Sequence, residues 1–140
     1  MTTNINPVFP DTANVNWCKL ITANTAYDGT GAVGICYVAG SAKAGSLLSR
    51  VDYLTVTNLG SNPATVIRAY LNNGDDPTVA TNNTLLRNIT MGLATTSQVA
   101  ALAEGLIQLD MTIPAGYRII VSTGTAGTAG WQVTGFGGDI

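Results

Sequence analysis

The chain has 140 residues, six Lys and Arg against eight Asp and Glu, no histidine, and only 10% charged residues, far below the roughly 25% of an ordinary globular domain. That length suits one domain, large enough to bury a core without a metal or disulfide staple. The net charge is −2, and Lys19, Lys43, Arg50, Arg68, Arg87 and Arg118 are scattered, which excludes the clustered basic footprint on which direct DNA or RNA binding depends.

The polar surface must then come from Thr, Asn, Ser and backbone. This fits either a robust β-protein with a neutral, hydroxyl-rich skin or a subunit largely covered by copies of itself or a partner. Residues 1–14, MTTNINPVFPDTAN, have no periodicity, and Pro7 and Pro10 favour extended backbone. They read as an extended N-terminal arm, either free or laid on a neighbour such as a capsid or other partner, with Pro7, Val8, Phe9 and Pro10 as its contacts. Residues 15–140 then form a single domain. Residues 1–16 hold no apolar core of a secretory leader, and no run approaches the roughly 20 apolar residues of a membrane-crossing helix. Folding in a cytoplasm, away from membranes, is expected, with Cys18 and Cys36 reduced. Both cysteines read first as small buried side chains, with a disulfide between neighbouring strands as the alternative.

The first strand is expected over residues 15–23, with Val15, Trp17 and Ile21 on one face and Cys18 and Leu20 on the other. Asp28-Gly29 turns the chain. In a second strand over 32–39, Val33, Ile35 and Tyr37 oppose Cys36 and Val38. The clearest local signal is 49–74, SRVDYLTVTNLGSNPATVIRAYLNNG. It reads as a hairpin, strands three and four, joined at Gly60-Ser61-Asn62-Pro63. Strict alternation puts Arg50 and Asp52 on the same face as Leu54 and Val56, and sets Arg68 beside Tyr70. Arg50, Asp52, Arg68 and Tyr70 are the candidate inter-subunit contacts.

Gly74-Asp75-Asp76-Pro77 is a turn, and the fifth strand covers 84–91. Residues 94–104 could add one or two helical turns, with Ser97 as N-cap. Residues 106–113 alternate most cleanly: Ile107, Leu109, Met111 and Ile113 against Gln108, Asp110 and Thr112. That is the pattern of a sheet with one buried face. A seventh strand over 117–123, a flexible GTAGTAG loop and an eighth strand over 131–136 complete the chain. Trp17 and Trp131 lie in strands and are expected in the core. The expected fold is all-β, an eight-stranded jelly-roll-like β-sandwich with an extended N-terminal arm. An immunoglobulin-like sandwich is the alternative, but its Cys…Trp…Cys spacing is missing.

The chemistry of catalysis is thin. Without histidine there is no Ser-His-Asp or Cys-His arrangement and no imidazole metal ligand. Asp75 and Asp76 are adjacent on a turn, and such neighbours diverge and lack the desolvated pocket of a catalytic pair. Turn formation is the first reading of this pair, and a weak calcium site with Asn72 and Asn73 the second. The glycine-rich stretches at 29–31 and 124–130 lack the Lys-Ser/Thr of a phosphate-binding loop. No enzyme and no cofactor are expected.

The segments TANTAYDGTGAVGICYVAG, SRVDYLTVTNLGSNPATVIRAYLNNG, IPAGYRIIVSTGTAG and GFGGDI, in this order and spacing, resemble small virion proteins of tailed bacteriophages and prophages, of the capsid decoration or cement type. The resemblance covers most of residues 22–140. It implies a jelly-roll-like β-domain, often a homotrimer, that sits on the capsid exterior and clamps neighbouring major capsid proteins. It would be made in the host bacterial cytoplasm and carries over no catalytic residue. A receptor- or carbohydrate-binding module of a head or tail fibre is the alternative. That alternative calls for exposed aromatics near Tyr27, Tyr117 or Trp131, and Trp17 and Tyr53 are further candidates to line a sugar platform.

Overall fold

The computed structural model describes residues 9–140. In chain order the strands are β1 (Thr12–Leu20), β2 (Gly34–Val38), β3 (Leu48–Asn58), β4 (Thr65–Asn72), β5 (Asn83–Met91), β6 (Glu104–Pro114), β7 (Arg118–Thr123) and β8 (Trp131–Asp139), with one short 3₁₀ turn at Ala80–Asn82. They form two four-stranded antiparallel sheets, ordered β1-β8-β3-β6 and β2-β7-β4-β5. The pairings are nested: β4 with β5, β3 with β6, β2 with β7 and β1 with β8. Apolar side chains from the two inner faces meet between the sheets, among them Val51, Leu54, Val56, Ile107, Trp131 and Val133 from the first and Tyr37, Ile67, Ala69, Ile119 and Val121 from the second. The architecture is sandwich-like, as each sheet hides one face against the other.

The expected hairpin over 49–74 does not form. β3 pairs with β6 and β8, and β4 pairs with β5 and β7. Residues 59–64 carry the chain from one sheet to the other. Asn62 pins that crossing: its Nδ2 donates to Asn58 Oδ1 (3.1 Å) and Gly130 O (2.7 Å), and its Oδ1 accepts from Ala129 N and Gly130 N. Turn residues mark where a chain reverses, but they do not say whether the returning strand pairs with its predecessor or packs across from it. Among the described residues the only consecutive strands that pair are β4 and β5, joined through the Asp75-Asp76-Pro77 turn.

Bulges also break the expected faces. In β3, Ser49 and Val51 are buried, and then Leu54, Val56 and Asn58. The register shifts between Val51 and Tyr53 against both neighbouring strands. One extra residue reverses the alternation, so Arg50 and Asp52 face solvent while Leu54 and Val56 face the core. On β6 the shift falls at Asp110, which has φ +49°. A second bulge in β2 turns Cys36 and Tyr37 both inward. β6 otherwise matches its pattern: Ile107 and Ile113 are buried, Leu109 and Met111 pack on the core, and Gln108, Asp110 and Thr112 are exposed.

Trp131 is fully buried, but Trp17 is 63% exposed, which corrects its expected place in the core. Along β1 the buried set is Asn14 and Leu20, with Cys18 partly buried, so Val15, Trp17 and Ile21 point outward. The glycines of β8 have a steric reason. A Cβ on Gly137 would fall within contact distance of Arg50 O and Tyr37 Oη, so only glycine lets the Tyr37 ring lie over this strand. The GTAGTAG segment is held in place: Gly127 N donates to Ile21 O (2.9 Å), and Leu59 N to Gly130 O (3.0 Å). No helix forms at 94–104, although Ser97 Oγ accepts from Val99 N and Ala100 N at 3.2 Å each. The cap geometry is present without a following helix.

Candidate interaction surface

The outer faces of the two sheets differ in kind. On β2-β7-β4-β5 the centre is roofed by the chain itself. Residues 21–33 fold across it, tied by Asn24 N to Thr123 O (2.8 Å) and by Tyr70 Oη to Ala26 O (3.2 Å). Beneath this loop Tyr70 and Ile120 are fully buried, and Arg68 is only 6% exposed. Arg68 Nη1 donates to Asn24 O (3.2 Å), and its Cζ lies 4.1 Å from the centre of the Tyr27 ring. Arg68 and Tyr70 are thus neighbours on one face, as alternation requires, but both lie under a loop, and Arg68 borders a shallow cavity at the edge of that loop. Nothing in their β-branched surroundings marks that loop, because the covering residues lie more than forty positions away in sequence.

On β1-β8-β3-β6 nothing among the described residues covers the corresponding centre. Cross-strand register sets Val15, Phe136, Tyr53 and Gln108 in one row, and Trp17, Thr134, Thr55 and Leu106 in the next. Tyr53 and Phe136 stack with ring centroids 5.0 Å apart. Trp17 and Leu106 are 63% and 57% exposed. The result is an aromatic and aliphatic band with hydroxyls between, free of charge at its centre. The following row runs Lys19, Gln132, Thr57, Glu104. It therefore ends in opposite charges at the two edges of the sheet, and neither takes part in an ion pair among the described residues. At the opposite end of the band Arg50 Nε meets Asp52 Oδ1 at 3.0 Å, and Arg50 Nη2 lies 3.6 Å from Asp110 Oδ1. The bulges bring these three side chains together, and two of them, Arg50 and Asp52, are among the candidate inter-subunit contacts.

Of the expected arm contacts, Pro7 and Val8 lie outside the described residues. Phe9 is exposed. Pro10 sits over β8, where a Cβ on Gly138 would overlap it. Asp11 N donates to Asp139 O (3.1 Å), and Thr12, Ala13 and Asn14 already pair with Asp139, Gly138 and Gly137. The arm therefore gives way to sheet by Thr12, not after residue 14.

The polar centre of the fold is Asp139, in the terminal GFGGDI. Its Oδ1 accepts from Asn14 Nδ2 (2.9 Å), Ser49 Oγ (2.8 Å) and Gly40 N (3.1 Å), and its Oδ2 from Ala42 N (2.8 Å) and Lys43 N (3.0 Å). Burial pushes this carboxyl up, but the Asn14 and Ser49 donors and the Ala42 and Gly40 amides outweigh it and hold its pKa below the ordinary carboxylate value. Asp139 joins β1, β3, β8 and the loop after β2. Sequence reasoning missed it, because an acid near a chain end carries no local signature of burial.

Asp76 accepts from Thr78 N and Oγ1, and Asp75 N donates to Asn73 Oδ1. Asn72 Oδ1 is engaged by Gly74 N and Arg118 Nε. Asn72 Oδ1, Asn73 Oδ1 and Asp76 Oδ1 are thus occupied within the turn and its neighbours. Cys18 and Cys36 are free thiols, and burial pushes the Cys36 thiol well above its ordinary pKa. No group of three His, Cys, Asp or Glu residues that could hold a metal ion occurs among the described residues. No described helix is long and apolar enough to cross a membrane. Of the aromatics a sugar platform would need, Trp17 and Tyr27 are exposed, Tyr53 and Tyr117 are partly buried and Trp131 is fully buried. Comparison of the chain with protein-family models, with curated proteins and with solved structures gives no match.

Proposed function

We propose that this chain is a structural virion subunit that assembles with copies of itself and binds the outside of a phage capsid, bridging major capsid subunits. The assembly part rests on one observation: the outer face of β1-β8-β3-β6 is an uncovered aromatic and aliphatic band, whereas the other outer face is roofed by the chain's own loop. An exposed apolar patch rimmed by polar residues marks a protein contact. A second copy is the fitting occupant, because the row from Lys19 to Glu104 offers opposite charges at its two ends and so complements itself. The capsid part rests on the resemblance of the four segments to decoration proteins. The nested pairing, with strand orders 1-8-3-6 and 2-7-4-5, supports reading the fold as a jelly roll. The mechanism is passive: many copies bind only the assembled shell, so they stabilise it by mass action and multivalency.

Light scattering at micromolar concentration tests the assembly step. The wild type should form a discrete oligomer, a trimer in the decoration-protein reading, and Trp17→Glu or Leu106→Glu should release monomers that keep the wild-type circular dichroism and melt cooperatively, at a temperature lowered by the lost association. Trp131 is fully buried, so quenching by iodide reports Trp17. Association should protect it. A monomeric wild type with a freely quenched Trp17 that also fails to bind capsids would sink the proposal.

A further inference from the structure

We propose that the Arg68 guanidinium forms a binding site for a carboxylate group, in the shallow cavity between the ends of β4, β5 and β7. Arg68 is 6% exposed, yet no carboxylate approaches it among the described residues. A buried charge is expected to be paired, because its desolvation is otherwise uncompensated. Here Nη1 has a carbonyl, that of Asn24, and the Tyr27 ring lies against the guanidinium. Nε has no partner. The Ser122 hydroxyl, directly across on β7, has none either. These two make up most of the three buried side-chain polar atoms left without partners among the described residues. Neither is open to a ligand. Their effect is to leave the positive charge under-compensated inside the protein, where it acts over a low dielectric.

The other end of the guanidinium is accessible. A Cβ on Gly124 would stand 3.5 Å from both Nη1 and Nη2, and Arg68 and Gly124 both line a cavity of about 350 Å3. Thr65, Thr90 and Thr125 complete the rim, with Ala64 and Val66 as its apolar part. Exposed Thr90 and Thr125 make no side-chain hydrogen bond among the described residues, so their hydroxyls are free to donate. One guanidinium with neutral hydroxyls matches a planar monoanion, since the fork of Arg fits a carboxylate in two parallel bonds. A phosphate would call for more positive charge than this rim provides. The volume admits a group the size of a monosaccharide. The carboxylate could therefore belong to a small acidic sugar or to an acidic side chain of a partner protein.

The experiment is a titration of the full chain followed by amide and Arg Nε–H NMR, with acetate, glucuronate, N-acetyl-aspartate amide and glucose as probes. Acetate should move the Arg68 Nε–H, Thr65, Thr90, Gly124 and Thr125 signals, and glucose should not. Tighter binding of glucuronate than of the aspartate derivative assigns an acidic sugar; the reverse order assigns a protein side chain. Arg68→Met should weaken binding at least tenfold. That variant also removes the bond that ties the covering loop through Asn24 O, so Thr90→Glu, which leaves Arg68 in place, provides a second arm. Thr90 sits diagonally from Arg68, opposite Val66, within reach of a long side chain. Its built-in carboxylate should abolish acetate binding and raise the melting temperature. No shift with any carboxylate, or equal binding to Thr90→Glu and wild type, overturns the assignment.

Discussion

Replacing Asp139 by Asn should unfold this protein more readily than any surface change, for a reason that can be worked from its five donors. An Asn carbonyl can take the place of Oδ1 and keep the bonds from Asn14, Ser49 and Gly40. Its NH2 group must then face Ala42 N and Lys43 N, donor against donor, where Oδ2 accepted at 2.8 and 3.0 Å. Losing two hydrogen bonds to a charged acceptor costs about 1.5–3 kcal/mol each, so about 3–6 kcal/mol together. Against a typical domain stability of about 5–15 kcal/mol this is a large share. At about 3 °C per kcal/mol for a chain of this size, the melting temperature should fall by about 9–18 °C near neutral pH. The pH dependence adds a sign. The Asp139 pKa is depressed by its donors in spite of burial. Its contribution is therefore fully present above the unfolded-state value of about 3.9 and is lost as pH falls through the lower folded-state value. The wild-type and Asp139→Asn curves should converge below about pH 4. Asp11, Asp28 and Asp76 are also lowered by their own hydrogen bonds, but both proteins share them. The assay is thermal denaturation by circular dichroism across this range. A difference under about 3 °C at neutral pH, or one that stays constant into acid, would refute the reasoning.

Asn62→Ala should cost about 2–4 kcal/mol, because it leaves Ala129 N and Gly130 N without their acceptor and takes one of two donors from Gly130 O, which keeps Leu59 N; urea denaturation reads it, and a change below about 1 kcal/mol would show that the crossing loop holds itself. In the native state Cys36 should resist a thiol reagent that is titrated fully after unfolding, because its thiol is buried and its pKa raised. Equal reaction rates before and after unfolding would contradict this. Removing residues 1–14 should lower the melting temperature well below that of a chain lacking residues 1–10. The longer deletion takes away three β1–β8 pairs and the bonds of Asn14 Nδ2 to Val38 O and Asp139 Oδ1. Coincident melting curves would mean that these pairs contribute nothing.

Much of the local structure was legible because it depends on near neighbours. The eight strands fall close to the expected runs, since alternation and turn residues are properties of a few adjacent positions. The inward set of β6 followed from its pattern alone. Trp17 did not, because an apolar side chain on an edge strand follows the same period whether it faces a core or a surface reserved for contact. The shared face of Arg68 and Tyr70 follows from alternation, but the loop from a distant part of the chain that lies over them does not.

The sequence by itself determined the all-β class, the strand count, the lack of histidine chemistry and the lack of a basic footprint. These are sums over composition or short periods, and no distant contact can change them. Only the tertiary structure decided that β3 and β4 part company into different sheets, that a bulge at Asp52 reverses the faces of β3, and that Asp139 is the polar centre of the fold. Each of these depends on which residues far apart in sequence come within hydrogen-bonding distance. That is set by the joint burial of both sheets, not by any single stretch of the chain.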